Sequence, residues 1–251
     1  VSRTALVTGA SRGIGRAIAV RLAADGVVVA VHYGTNEVAA KETVELITAA
    51  GGQAFAVGVE LGVPGDADKL WAGVDDGLHR LGVGAGVDIL VNNAGIGRSG
   101  DIHVVTPDDF DRIFAVNVKA PFFIVQKGLS RIRDGGRIIN ISSGVTRIAY
   151  PDILAYSMTK GALDTFSFTL AKALGERGIT VNSVSPGIVD TDVNAAWLRD
   201  NPAAWAEAAA YSAFNRVGEP GDIADVVAFV ASPDARWISG QDIDATGGSR
   251  L

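Results

Sequence analysis

The sequence predicts an α/β fold: a doubly wound parallel sheet of about seven strands with helices on both faces. Three observations carry this expectation. Short β-branched runs alternate with helix-length segments from the start of the chain. Most of those runs are wholly apolar, as strands are when helices cover both sides of the sheet. A glycine-rich turn follows the first run and opens the first helical segment.

Taken in order, the strand runs are residues 4–8, 27–31, 53–59, 88–91, 137–141, 180–185 and 242–244. Apolar residues recur at helical spacing between them, as over 14–24 and 39–50. Thr106-Pro107-Asp108-Asp109 reads as a helix start, with a capping Thr, Pro at the first position and acids in the first turn. Further long helices are expected around 106–131 and 156–177. There is no tandem repeat, low-complexity tract or Pro/Ser-rich linker, and the glycine-rich stretch 82–86 falls between a helix and a strand. One domain over residues 1–251 is the expectation. Residues 190–215 break the rhythm with an Ala-rich, helical insertion carrying Trp197, Trp205, Tyr211 and Phe214. A surface hairpin or oligomer contact is one reading. Its place after a strand favours the other, a substrate lid at the carboxyl edge of the sheet.

The composition excludes several classes of function. Apolar residues make up 48% and charged residues 20% of 251, an ordinary globular balance. The net charge of −6 argues against nucleic acid as a partner, and no apolar run is long enough to span a membrane. Cysteine is absent, which removes disulfides, thiolate metal sites and cysteine nucleophiles together. His32, His79 and His103 are scattered, so no metal is expected. The opening residues read as a strand rather than a signal or transit peptide, and a cytoplasmic location is the expectation.

"TGASRGIG", running from Thr8 to Gly15, points to nucleotide binding. Gly9 permits the tight turn, Gly13 lets the backbone approach a pyrophosphate, and Gly15 allows close packing of helix on sheet. Free amides at the helix N-terminus favour an anion there. An acid at the end of the second strand would bind a ribose 2′-hydroxyl and repel a 2′-phosphate. Here that strand ends in His32 and Tyr33, with no acid, and Arg12 lies inside the glycine turn. These features favour NADP(H) over NAD(H).

"YSMTK" places Tyr156 and Lys160 one helical turn apart. Alone, so short a motif proves little. Its setting adds Asn92-Asn93-Ala94-Gly95, Asn117, Ser143 at thirteen residues before Tyr156, Pro186-Gly187, and Thr246-Gly247-Gly248. In this order and spacing nearly the whole chain resembles the short-chain dehydrogenase/reductase family, a Rossmann-type fold. Within it the chain is most similar to the 3-oxoacyl-[acyl-carrier-protein] reductase and related NADP-linked ketoreductases. The chemistry agrees. A tyrosine titrates near pH 10 (about three units too high for easy exchange at neutrality), and an adjacent ammonium favours its phenolate. Tyr156 is thus the expected proton donor to a developing alkoxide, or acceptor from an alcohol.

The resemblance implies further roles. Lys160 would also hold the nicotinamide ribose, Ser143 rather than Ser142 would polarise the carbonyl, and Asn117 would hold a water linking Lys160 to solvent. Ser11 and Ile14 would join Gly9, Arg12, Gly13 and Gly15 around the cofactor phosphates. Glu60, with Leu61, and Asn93, Ala94 and Gly95 would serve the adenine side. Pro186, Gly187 and Ile188 would pack on the nicotinamide, with Thr191 beside its carboxamide or the pyrophosphate.

For the substrate, Ile96, Val145, Ile148, Tyr150, Ile188, Trp197 and Trp205 outline a mostly apolar wall, suited to an acyl chain, a ring ketone or a steroid-like body. Arg131, Arg133 and Arg177 offer a basic mouth for a carrier-bound acyl chain, but Asp134 and Glu176 sit among them. The expected partner is a small-molecule carbonyl or alcohol, and the expected assembly a homotetramer or homodimer. Three readings stand beside this one. The first is an NAD-linked alcohol, sugar or steroid dehydrogenase on the same fold. The others are a catalytically silent nucleotide sensor, in which Tyr156 or Lys160 should be lost, and a methyltransferase, which has no use for Ser143, Tyr156 and Lys160 together. The final Ser249-Arg250-Leu251 varies a peroxisomal address or is a plain tail.

Overall fold

The structure, a computed structural model, describes residues 2–97 and 100–250. Leu251, the last residue of the address-like tail, lies outside the described residues. The strands are β1 (Thr4–Val7), β2 (Val28–Tyr33), β3 (Ala54–Gly58), β4 (Val87–Asn92), β5 (Ile132–Ile141), β6 (Thr180–Pro186) and β7 (Asp242–Ala245). They form one parallel sheet in the order β3-β2-β1-β4-β5-β6-β7. The chain therefore reverses its direction of winding between β1 and β4, the place where ligands enter open α/β folds.

Alternation along the strands separates two cores. Ala5, Val7, Val29, Val31, Ile89, Val91, Ile139 and Ile141 face one side, against Ile18 and Leu22 of α1 (Gly13–Ala24) and Ile223 and Val227 of α9 (Pro220–Ala231). Leu6, Ala30, Leu90, Ile138 and Val181 face the other, against Leu70, Trp71 and Val74 of α3 (Asp66–Arg80) and Ile124 of α5 (Ala120–Gly128). The register Leu6↔Ala30 and Leu6↔Leu90 keeps each set in line. Among the described residues, no helix is long and apolar enough to cross a membrane, and no cluster of metal-ligating side chains occurs.

The elements follow the sequence expectation with local departures. Helix α2 (Glu37–Ala49) begins two residues before the expected position because Asn36 accepts the Ala39 amide as its cap. Thr106 caps α4 (Pro107–Phe114) through the Asp109 amide, with Pro107 in the first turn. The long helix expected to 131 is interrupted: residues Ala115–Lys119 form a π-helical turn before α5. β5 starts five residues early, at Ile132, where a separate pairing to Val87 precedes a register shift. Tyr156 and Lys160 belong to α6 (Leu154–Leu174). The insertion folds into α7 (Ala195–Leu198) and α8 (Pro202–Tyr211).

Trp71 fixes how α3 meets α5. Its indole N–H donates to the Ile124 carbonyl at 2.8 Å, and a Cβ at Gly128 would stand only 2.2 Å from its ring. Trp71→Ala is expected to cost about 3–5 kcal/mol through lost burial and an empty cavity. The check is urea unfolding, with a lower midpoint at unchanged slope.

Candidate active site

The glycine turn is held by the end of β4. The Thr8 hydroxyl accepts the backbone amides of Asn93 and Ala94, each at 3.0 Å. In return the Asn93 side chain donates to the carbonyls of Thr8 and Gly9 at 2.9 and 3.0 Å. A Cβ at Gly9 would lie 2.8 Å from the Ala94 Cα, and one at Gly15 would lie 2.2 Å from the Gly9 carbonyl oxygen. Both positions therefore exclude a side chain. Gly13 has a left-handed φ of 55° and faces Thr191. The Ser11 carbonyl accepts from Arg16, and Ile14 packs into the first core.

A cleft of about 840 Å³ opens beside this turn, lined by Arg12, Arg16, Asn36, Thr191 and Arg199 among others. Arg16 is paired with Glu42, Arg21 with Asp25 and Asp225, and Arg199 with Asp190 and Asp192. Arg12 is exposed and, among the described residues, pairs with no carboxylate. The cleft takes in Arg12 and Gly13 of the turn itself and does not reach Tyr156.

His32 is corrected here. Expected to face the cofactor ribose, it is 1% exposed, and both ring nitrogens are engaged. Nδ1 accepts the Gly9 amide at 3.0 Å, and Nε2–H donates to the Val59 carbonyl at 2.8 Å. These bonds fix a neutral ring in one tautomer, and burial lowers its pKa from 6.5 to about 4. Tyr33 alone remains at the surface of that strand end, its ring folded over Gly58, where a Cβ would lie 2.6 Å away. The Leu61 side chain packs into the second core. Glu60 is exposed.

At the chemical end, β5 delivers Ser143 and α6 delivers Tyr156 and Lys160. Ser143 stands close enough to the Tyr156 phenol to act on its titration, whereas Ser142 is buried and turns to the Lys160 carbonyl. Lys160 Nζ stands 5.4 Å from the Tyr156 ring centre and donates to the Ile141 carbonyl at 2.8 Å. An ammonium carries further donors beyond that one. Burial lowers the Lys160 pKa to about 8, and the Asp164 carboxylate opposes the shift. The expected lowering of the phenol by the lysine is not found. Burial holds Tyr156 above its ordinary value, opposed by Ser143.

Asn117 sits in the π-helical turn, 1% exposed. Its side chain accepts the Ile96 amide and donates to the Ile96 carbonyl, both at 2.8 Å, and also donates to Thr159 at 3.1 Å. The side-chain amide thus ties the π-helical turn to Ile96 and to Thr159 of α6. The segment ending at Ile96 brings Gly95 to the lysine: a Cβ there would lie 3.8 Å from Lys160 Nζ. Pro186 ends β6, Gly187 presses against Thr246, and Ile188 packs with Trp197 of α7. Tyr150 meets Tyr211 at the end of α8, while Trp205 and Phe214 are exposed. Sequence reasoning missed Thr8 and Thr159 as supports, and Thr246 as the residue against Gly187; only the short motifs around them signalled their place.

A crevice at a β1/β4 reversal, a glycine turn packed tightly against β4 and a Ser–Tyr–Lys set on the carboxyl edge define a nucleotide-dependent oxidoreductase. Residues 9–250 match the family model described as enoyl-(acyl carrier protein) reductase. The chain is 43% identical to an uncharacterised oxidoreductase of Methylorubrum extorquens, covering 99% of this chain and 98% of that protein. It is 40% identical to a versicolorin reductase of Emericella nidulans, covering 98% and 95%. Among solved structures, the angucycline C-6 ketoreductase LanV with bound NADP is 55% identical with a TM-score of 0.93, over 98% and 95% of the two chains. The reductase LugOII, which catalyses keto-reduction at C1 in lugdunomycin biosynthesis, is 54% identical with a TM-score of 0.94, over 99% and 98%. The chain belongs to the short-chain dehydrogenase/reductase family, and it is an oxidoreductase acting on carbonyl groups.

His32 makes stability depend on pH. Its folded pKa of about 4 lies below the ordinary 6.5, so the unfolded chain binds the extra proton in between. The stabilisation is complete above pH 6.5 and is lost as pH falls towards 4, to a total of about 3 kcal/mol from this group. Urea midpoints at neutral pH and near pH 4.5 should differ more in the native protein than in His32→Asn.

Proposed function

We propose that this chain is an NADPH-dependent ketoreductase whose substrate is a ring ketone on a polycyclic aromatic molecule. The observation that carries the reading is the buried Lys160 ammonium, 5.4 Å from the Tyr156 ring centre and held by the Ile141 carbonyl, with Ser143 just past the end of the same strand. The relatives that reduce versicolorin and angucycline ketones support the substrate class.

The residues present fit a dinucleotide. Gly9, Gly13 and Gly15 keep side chains out of the turn before α1, leaving its first amides for phosphates, with Ser11, Arg12 and Ile14 around them. The unpaired Arg12, the lack of an acid after β2 and the NADP-bound neighbours support NADP(H) over NAD(H). Lys160 would hold the ribose through its remaining donors, with Gly95 leaving room beside it. Glu60, Asn93 and Ala94 would bound the adenine side, and Pro186, Gly187, Ile188 and Thr191 the nicotinamide side. When bound, NADPH supplies the hydride.

The protein supplies alignment and the proton. Ser143 Oγ and Tyr156 Oη form a pair of donors for one carbonyl oxygen. As negative charge develops there, the Tyr156 proton moves to it. Burial keeps the phenol protonated, the form that reduction requires. Lys160, near 8, is mostly charged at neutral pH, the form in which its remaining donors hold the ribose.

A lid over residues 190–215 on a single domain completes the reading. Exposed Phe122, Met158 and Phe168 on α5 and α6 support a homotetramer or homodimer. A cytoplasmic setting is part of the proposal. A 3-oxoacyl thioester is the second reading: the matching family's description names an acyl carrier protein, although the group it names is an enoyl C=C rather than a ketone.

Purified protein with NADPH should reduce a tricyclic quinone or ring ketone, followed as loss of nicotinamide absorbance; an NADH rate equal to the NADPH rate would remove the Arg12 argument. Tyr156→Phe should lower kcat by about 10²–10⁴-fold, with the NADPH Kd within about twofold of native. Above pH 8 the reduction rate should fall as Lys160 loses its charge.

A further inference from the structure

Residues 246–250 fold back onto the candidate site. After β7, Thr246 packs against both sides of the candidate site: a Cβ at Gly144 would lie 3.0 Å from its methyl group, and one at Gly187 would lie 2.9 Å from its carbonyl oxygen. Gly247 and Gly248 then take left-handed φ values of 66° and 69°, turning the chain back over the lid. There the Gly247 carbonyl accepts the Ala213 amide and the Ser212 hydroxyl, both at 3.0 Å. Ser249 is buried and bonds Thr246 twice, at 2.9 and 2.8 Å, which stiffens the turn.

Arg250 completes the contact. Its amide donates to the Tyr211 carbonyl at 3.1 Å, and its guanidinium lies 4.2 Å from the centre of the Tyr211 ring. Its φ of 53° is unusual for a side chain of this size, and such strain persists where surrounding contacts over-determine it. Tyr211 in turn meets Tyr150 with ring centres 5.9 Å apart and planes inclined at 33°. Tyr150 lies on the segment between Ser143 and α6, so one line of contacts joins tail, lid and the loop that carries the carbonyl-binding serine. A cavity of about 170 Å³ remains beneath it, bounded by Ile188, Ala208, Phe214 and Gly247.

We infer that residues 246–250 are a strap that holds the lid against the Ser143 loop, and that Arg250, through Tyr211 and Tyr150, sets the site's preference for flat ring ketones over acyclic ones. The second half rests on the ring-ketone reading; the first does not. A cation over the outer face of Tyr211 fixes the ring, and a fixed pair of aromatic faces packs best on a planar ligand. An acyclic ketone gains little from such a wall.

The experiment compares native protein with Arg250→Ala and Arg250→Lys. Without substrate, the α8 amides of Arg250→Ala should exchange hydrogen about fivefold faster, the factor a partly exposed cation–π contact corresponds to, while the sheet amides stay unchanged. Arg250→Lys, which keeps a cation over the ring, should recover most of the protection. In turnover, Arg250→Ala should raise KM for 9,10-phenanthrenequinone about fivefold, with NADPH KM and the ethyl acetoacetate kcat/KM within about twofold of native. Unchanged α8 exchange, or faster exchange throughout the sheet, overturns the strap. Faster α8 exchange with equal losses on both ketones overturns the selectivity. Native protein that reduces ethyl acetoacetate but not the quinone refutes the ring-ketone reading, while α8 exchange still decides the strap.

Discussion

The molecule depends on a reciprocal set of hydrogen bonds between Thr8 and Asn93, which closes the crevice where the sheet reverses its winding. Residues after β1 and β4 must diverge there, since their helices leave on opposite faces. Thr8 and Asn93 span the gap, and the missing side chains of Gly9 and Gly15 let the backbones approach closely enough for the bonds to form. His32 ties the same turn to the strand on its other side. The turn is therefore braced from both neighbours, so its amides are set before any anion arrives. Preorganisation of this kind lowers the ordering cost of binding.

A second constraint runs through the chemical end. A buried ammonium is costly, and one carbonyl with a carboxylate on the next helical turn offsets only part of that. Lys160 therefore has a depressed pKa and unsatisfied donors, which is what a residue awaiting a polar ligand looks like. Beneath it polar groups are linked in series: Asn92 bonds Asn140, Asn140 bonds Ser167, and Ser167 bonds Ser183, all buried. This chain links β4, β5, α6 and β6 at the level of the site, and gives the helix bearing Tyr156 and Lys160 one seat on the sheet.

Much of this was legible because the signals are local. The alternation of short β-branched runs with helix-length segments placed the strands, the glycine spacing placed the turn, Thr106 and Pro107 placed a helix start, and the Tyr156–Lys160 interval placed two side chains on one helix face. What was hidden depends on partners far along the chain. His32 lies at a strand end where either orientation is open, and its inward turn is decided by Gly9 and Val59. The π-helical turn at Asn117 answers to Ile96, twenty-one residues away. The early start of β5 depends on pairing to Val87. The raised Tyr156 phenol reflects burial, which no spacing reveals.

The brace between Thr8 and Asn93 joins residues 85 apart in the chain. During synthesis β1 appears first, yet it is an inner strand whose second neighbour is β4. The phosphate-binding turn thus stays unfinished while its own helix, the next two strands and α3 are already made. Any ligand that needs the braced turn therefore finds it only after β4 has docked beside β1.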